Sequence, residues 1–216
     1  MELNKSLSNK VWKEIKTEQN KIEKLSQKKS ISQIFSKLLI ARGIDENNLE
    51  QFLNPEIVSD IPSPFDLKDM KKAVKRCLIS IKHNEKIGII ADYDVDGSTS
   101  ASILYKFLRN FTSNIICKIP NRLSEGYGPN TRLMNEMLNE NVKLLFTLDC
   151  GTSSFNIIDH SDYKEIDVIV IDHHLSDYRL PNVYSIINPN RFDENNDYKD
   201  FAAVGVTFLF LMALRK

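Results

Sequence analysis

The sequence predicts an α/β protein: a mainly parallel sheet with helices on both faces, preceded by a small helical module. Three observations carry this. From residue 86 onward four short apolar runs appear, Ile87–Ala91, Ile115–Ile119, Leu144–Leu148 and Val168–Ile171. Helical patterns at about 98–111, 131–140 and 152–160 separate them. The runs are apolar at nearly every position, as in strands covered on both faces, where a half-exposed strand would alternate.

The elements before residue 86 read as helices. Ile31, Ile34, Phe35, Leu38 and Leu39 fall at i, i+3, i+4, i+7 and i+8, one face of a helix that Gly43 closes with a left-handed cap. A shorter helix uses Leu49, Phe52 and Leu53 and stops before Pro55. Ile61-Pro62-Ser63-Pro64 has the composition of a linker. Asp66 then suits the N-cap of a helix burying Leu67, Met70, Val74, Cys77, Leu78 and Ile81. The resulting division is a helical module over 1–85 and an α/β domain over 86–216.

Composition narrows the class. With 216 residues, 42% apolar and 27% charged, the chain can bury one good core and a small second module. Its net charge of zero hides an asymmetry: residues 1–37 hold nine lysines against four glutamates, and 159–200 hold ten acids against four bases. Such runs are usually solvated faces, although a lysine-rich start also suits nucleic acid. The cysteines Cys77, Cys117 and Cys150 are odd in number and lack metal-type spacing, and the first two sit in apolar patterns as small core residues. No run approaches the ~18 apolar residues of a membrane span, and the start lacks a secretory signal's apolar stretch. The reading is a cytoplasmic protein without a membrane partner. Residues 201–214 are apolar on almost every side, a helix that needs burial from all directions. The α/β domain is therefore expected to be incomplete at its C-terminal end.

Three of the four strands run into an aspartate: Asp92, Asp149 and Asp172. Ligands of parallel sheets sit beyond the carboxyl ends of the strands, so the three acids should gather at one rim. The first turn, Asp92-Tyr-Asp94-Val-Asp96-Gly97, places three acids within five residues. Their repulsion destabilises the turn unless a divalent cation offsets it, and carboxylate oxygens are preferred ligands of Mg²⁺ and Mn²⁺. Gly97 permits a sharp turn, and Ser98 or Thr99 suits the cap of the next helix. Asp172-His173-His174 adds imidazoles suited to Mn²⁺, Fe²⁺ or Zn²⁺, with a carboxylate beside them to fix the tautomer. Asp149-Cys-Gly151-Thr offers a bridging carboxylate and a glycine that lets backbone N–H groups approach phosphate. His83 and His160 lack such company and read as surface residues.

Two rival readings of Asp-x-Asp-x-Asp-Gly fare worse. An EF-hand loop needs a glutamate where Ile103 stands, and it follows a helix instead of a strand. The aspartyl-phosphatase turn puts its nucleophile directly after the strand; here Asp92 holds that place, out of register with Asp94-x-Asp96-Gly-Ser, which counts against that reading without removing it. Carboxylates with imidazoles and no placed nucleophile point to a two-ion centre that hydrolyses a phosphodiester or phosphoanhydride.

Asp92-Tyr-Asp-Val-Asp-Gly, Asp149-Cys-Gly and Asp172-His-His, in this order, resemble the first three motifs of the DHH phosphoesterases. Within that superfamily the chain is most similar to the RecJ exonucleases, through Ile119-Pro-Asn-Arg-Leu-Ser-Glu-Gly-Tyr-Gly128, Ile187-Asn-Pro-Asn190 and the Ala-Val-Gly-Val of 203–206. Ala41-Arg-Gly-Ile44, Phe52-Leu-Asn-Pro55, Pro64-Phe65 and Asp69-Met70 extend the likeness over nearly the whole chain. The resemblance implies 5′-to-3′ hydrolysis of single-stranded DNA in recombination and repair, with two Mn²⁺ or Mg²⁺ ions. By motif it makes Asp92, Asp94, Asp96, Asp149 and His173 metal ligands or their close supports. His174 would then face the scissile phosphate and Asp172 would orient the cluster. Arg122 would contact the DNA backbone, and Tyr93 and Tyr127 are candidates for base stacking. Single-strand-binding or other repair proteins are the implied partners. The family carries a further aspartate motif and a second domain downstream, so weak or no activity is expected of this chain by itself. The alternatives are a DHH phosphodiesterase of short oligonucleotides or cyclic dinucleotides, and a DNA-binding homologue that has lost catalysis.

Overall fold

The computed structural model describes residues 6–196 and 198–215. They form two compact units that divide between Pro62 and Ser63.

The first unit contains α1 (Gln19–Lys29), α2 (Gln33–Ala41), α3 (Leu49–Leu53) and α4 (Ile57–Asp60). Its core is small: Leu25, Leu39 and Leu49 are buried, with Ile31, Ile40 and Ile44 packed against them. Ser32 caps α2 by accepting from Phe35 N at 3.2 Å, and Gly43 follows the helix at φ 77°, the left-handed stop that its position predicts. The α2 face differs from expectation. Leu39 is buried, but Ile34, Phe35 and Leu38 are exposed, because α2 packs on α1 along one narrow stripe.

The second unit is the α/β domain. Its elements are α5 (Met70–Lys82), β1 (Ile87–Ala91), α6 (Val95–Leu108), β2 (Ile115–Lys118), α7 (Thr131–Asn139), β3 (Leu144–Leu148), α8 (Phe155–Ile158), β4 (Asp167–Ile171), β5 (Ser185–Ile187) and α9 (Ala203–Arg215). The sheet is wholly parallel, in the order β2-β1-β3-β4-β5. Three residues of β5 carry too short a pattern to register as a strand, so the sheet gains a fifth strand that periodicity misses. α5 packs against β5 and α9, so in space it belongs to the α/β unit, although the sequence groups it with the helices before residue 86.

Both faces of the sheet are covered. On one side α7 and α8 bury Leu133, Met134, Met137 and Ile158 against Ile90, Leu145, Val168 and Val170. On the other, α9 lies against α6, α5 and β4, and Phe210 meets Phe146 of β3 with ring centroids 5.5 Å apart. That packing buries seven residues of α9, while Phe208 on its remaining side is left 42% exposed. α5 starts at Met70 with Asp69 as its N-cap residue, not at Asp66, because Pro64–Asp66 form a 3-10 turn of their own. Its buried stripe is Met70, Ala73, Cys77 and Ser80 together with Arg76, while Leu78 is exposed. Arg76 reaches inward to Asp167 (2.5 Å), Glu85 (2.7 Å) and the Lys143 carbonyl (3.2 Å), a buried guanidinium satisfied from three segments. Cys117 is exposed, since β2 is an edge strand with one open side.

Candidate metal centre

Strand order creates the site. The chain leaves β1 toward β2 and returns on the other side of β1 as β3, so the crevice between the ends of β1 and β3 is a topological switch point. The register then lines up the residues that follow. Ala91 pairs with Leu148, Leu148 with Ile171, and Ile171 with Ile187. The next residues, Asp92, Asp149, Asp172 and Asn188, therefore form one row across four strands. The ladder continues into them: Asp92 N donates to Leu148 O (3.1 Å), Asp149 N to Ile171 O (2.9 Å) and Asp172 N to Ile187 O (3.1 Å).

The turn after β1 enters α6 directly. Asp94 is the N-cap, its Oδ1 accepting from Gly97 N at 2.9 Å, so the helix starts three residues ahead of the sequence estimate. Ser98 and Thr99 do not cap; their hydroxyls donate to the carbonyls of Asp94 (2.5 Å) and Val95 (2.6 Å) one turn back. Gly97 is required by contact: a Cβ there would lie 2.4 Å from the Asp92 carbonyl oxygen. After β3 the chain turns through Asp149 at φ 59°, a conformation acceptable to Asp, and Gly151, whose added Cβ would stand 2.5 Å from Thr147 Oγ1.

Two overlapping groups of ligand atoms result. Asp92, Asp94 and Asp149 form one, Asp149, His173 and His174 the other, with the atoms of each within 4.8 Å of one another. Asp149 is common to both. Its Oδ1 and that of Asp92 are buried and accept no hydrogen bond, although His173 Nε2 stands 3.3 Å from the former. Burial, then the charges of Asp96, Asp94 and Asp172, push the Asp149 carboxyl up to about 8. Burial also raises Asp92, whereas the Gly97 N–H holds Asp94 below its ordinary value. Orphaned buried carboxylate oxygens that repel one another are what a divalent cation would satisfy, and a mixed oxygen and imidazole set suits Mn²⁺ as well as Mg²⁺.

Asp172 takes a different place. Its Oδ1 accepts from His173 N (2.8 Å), His174 N (3.2 Å) and lies 2.7 Å from His174 Nδ1; its Oδ2 accepts from Thr152 N (3.1 Å). Burial disfavours its charge, but the bonds from His174 and Thr152 outweigh that and hold it below the usual carboxylate range. The same bond raises His174 above an ordinary histidine and commits Nδ1 to Asp172, leaving Nε2 for the site. His173 Nε2 lies 3.3 Å from Asp149 Oδ1 and 3.5 Å from Asp96 Oδ2.

Asp96 stands outside both groups. Its two oxygens accept from Ala203 N and Val204 N, each at 2.7 Å, so it closes the first turn of α9. Tyr127 is half-exposed, with its hydroxyl donating to the Asp149 carbonyl (2.5 Å) and its ring edge-on to His174, centroids 5.7 Å apart. Arg122 lies over the Tyr93 ring, 5.3 Å from its centroid. Two further residues support the centre: Asn188 Nδ2 donates to the His174 carbonyl and to Thr152 Oγ1, both at 2.9 Å, and Asn190 Nδ2 to the His173 carbonyl at 2.6 Å. Their signal was present as Ile187-Asn-Pro-Asn190, but without β5 no reading could give it a place beside the histidines.

Known proteins resemble this chain in sequence and fold. The single-stranded-DNA-specific exonuclease RecJ of Bacillus subtilis is 32% identical over 203 residues, covering 94% of this chain and 26% of its own. The RecJ of Escherichia coli is 36% identical over 150 residues, covering 69% of this chain and 26% of its own. The chain thus spans about a quarter of the length of these curated relatives. A crystal structure of exonuclease RecJ bound to manganese is similar with a TM-score of 0.63 and 30% identity, over 72% of this chain and 38% of that one. The model of the DHH family, N-terminal domain, matches residues 86–216, from the residue before β1 through all five strands and α9, and the chain accordingly belongs to the DHH family.

Proposed function

We propose that this chain forms the metal-binding part of a cytoplasmic single-stranded-DNA exonuclease that uses Mn²⁺ or Mg²⁺ and degrades DNA from its 5′ end during recombination and repair. The observation that carries the reading is the pair of ligand groups sharing Asp149 at the switch point of the sheet. Asp92, Asp94, Asp149 and His173 hold the ions, and Asp96 supports them by fastening α9 beside His173. Bound ions supply an activated water and charge stabilisation for the leaving oxygen. Asp172 fixes the tautomer of His174 so that Nε2 meets the scissile phosphate. Arg122, held over Tyr93, contacts the DNA backbone, and the open side of Tyr127 borders the strand. The single-stranded-DNA specificity of the RecJ relatives supports the substrate. Single-strand-binding or other repair proteins deliver the strand.

The test is Mn²⁺-dependent degradation of a long, 3′-labelled single strand by this chain and by Asp94→Asn. The amide keeps the cap to Gly97 N and removes the charge. Stepwise shortening from the 5′ end that is lost in the variant supports the reading. Equal degradation by both proteins would refute the metal assignment.

A further inference from the structure

The loop that follows His174 carries an aromatic surface that the metal centre does not use. Leu175 is 84% exposed, Tyr178 93% and Phe192 50%. They line one cleft of about 410 Å³, within the ~300–1,000 Å³ range of small-ligand sites. The rings of Tyr178 and Phe192 stand 6.2 Å apart at 55°. Large apolar side chains left open together, in a concave place beside an active centre, mark a binding surface.

The surface is fixed relative to the histidines. Ser176 N donates to Asn190 O (3.3 Å), Phe192 N to Ser176 Oγ (2.7 Å), and Asn190 Nδ2 to the His173 carbonyl (2.6 Å). At the far end of the loop Arg179 and Asn182 N both bond Asp159, at 3.1 and 2.8 Å. One hydrogen-bonded network thus sets both the aromatic cleft and the backbone of the histidine pair.

We propose that this cleft is a nucleobase subsite, in which an unpaired base of a bound strand stacks on Tyr178 and Phe192 while its sugar-phosphate runs toward His173 and His174. The proposal rests on the nuclease reading of the centre. Charge selects the base over the phosphate as occupant: Asp177 and Glu194 line the cleft with Lys199 and Arg191, and Arg191 is already bonded to Asp69 and Asp193. Every base has a π-face, so stacking here holds a strand without reading its sequence. Duplex DNA keeps its bases stacked on one another and offers none to the cleft, which favours single strands. The tyrosines nearer the centre are less free for this, since Tyr127 spends its hydroxyl on Asp149 O and Tyr93 lies under Arg122.

The experiment compares fluorescein-labelled oligothymidylate with an abasic strand of equal length, binding to the whole chain, with Ca²⁺ replacing Mn²⁺ to suppress turnover. Tyr178→Ala and Phe192→Ala should each weaken oligothymidylate binding on the order of tenfold, leave the abasic strand unaffected, and Tyr178→Phe should bind as the unaltered chain does. Melting temperatures confirm folding, and Tyr178, being open to solvent, can be truncated without loss of core packing. Equal binding of oligothymidylate by all variants, or of both strands by the unaltered chain, overturns the subsite; a cleft serving a protein partner gives that result. Failure of the unaltered chain to bind either strand also overturns the subsite, while the nuclease reading stands or falls separately on the degradation test with Asp94→Asn.

Discussion

Gly97→Ala sets two effects of opposite sign against each other. Gly97 lies within α6, where alanine is the better helix former by about 1 kcal/mol. Against this, the new Cβ would stand 2.4 Å from the Asp92 carbonyl oxygen and 2.8 Å from its C and Cα. These are backbone atoms at the end of a buried strand and cannot rotate away, so α6 must shift by about 1 Å, an overpacking cost of roughly 1–3 kcal/mol. The steric term matches or exceeds the propensity gain, and the net loss, up to about 2 kcal/mol, should lower the melting temperature by up to about 8 °C for a unit of this size. The shift also moves Asp94, whose Oδ1 is tied to Gly97 N, so Mn²⁺ affinity should fall on the order of 10–100-fold, as for disturbed metal supports generally. Circular-dichroism melts in chelator measure the first effect, and the Mn²⁺-induced rise in melting temperature measures the second. A variant that melts above the parent, as helix propensity alone requires, would show that the turn does not pack as closely as described.

Asp149→Asn should stabilise the chain in chelator and abolish its stabilisation by Mn²⁺, since the amide tolerates the φ of 59° and removes the repelling charge. The folded carboxyl titrates at about 8, above its unfolded value near 3.8, so its penalty is absent at pH below that value and complete above 8; melts in chelator should show a clear gain at pH 7 that shrinks toward pH 4. Asp96→Ala leaves two N–H groups of the α9 first turn unpaired and should cost about 1–3 kcal/mol by urea titration, with Asp96→Asn milder; equal stability of both variants and the parent would mean that the cap is not formed. Asn188→Ala removes the donor to the His174 carbonyl and Thr152 Oγ1 and should weaken Mn²⁺ binding by about 10–100-fold in calorimetry.

Four strands and the place of the site were legible because their signals are local. Four or five mostly apolar residues followed by an aspartate announce both a buried strand and the polar row beyond it, and Asp92, Asp149 and Asp172 do stand at three adjacent strand ends. Gly43 and the break before Pro55 were readable for the same reason. What failed was long-range or too short. Ile34, Phe35 and Leu38 keep a helical period yet stay exposed, because period says which residues share a face and not whether anything covers it. β5 offers only Ser185–Ile187, and without it Asn188 and Asn190 had no visible role.

The sequence by itself determined the α/β class, the acids at the strand ends and the adjacent histidines, since each is written in a few consecutive residues. Tertiary structure alone decided which acids share a ligand group and which serve the fold. Asp96 sits in the same six-residue turn as Asp92 and Asp94, and nothing local distinguishes it from them. Its partners, Ala203 N and Val204 N, lie 107 and 108 residues away, and only the packing of α9 on α6 brings them within 2.7 Å of its carboxylate.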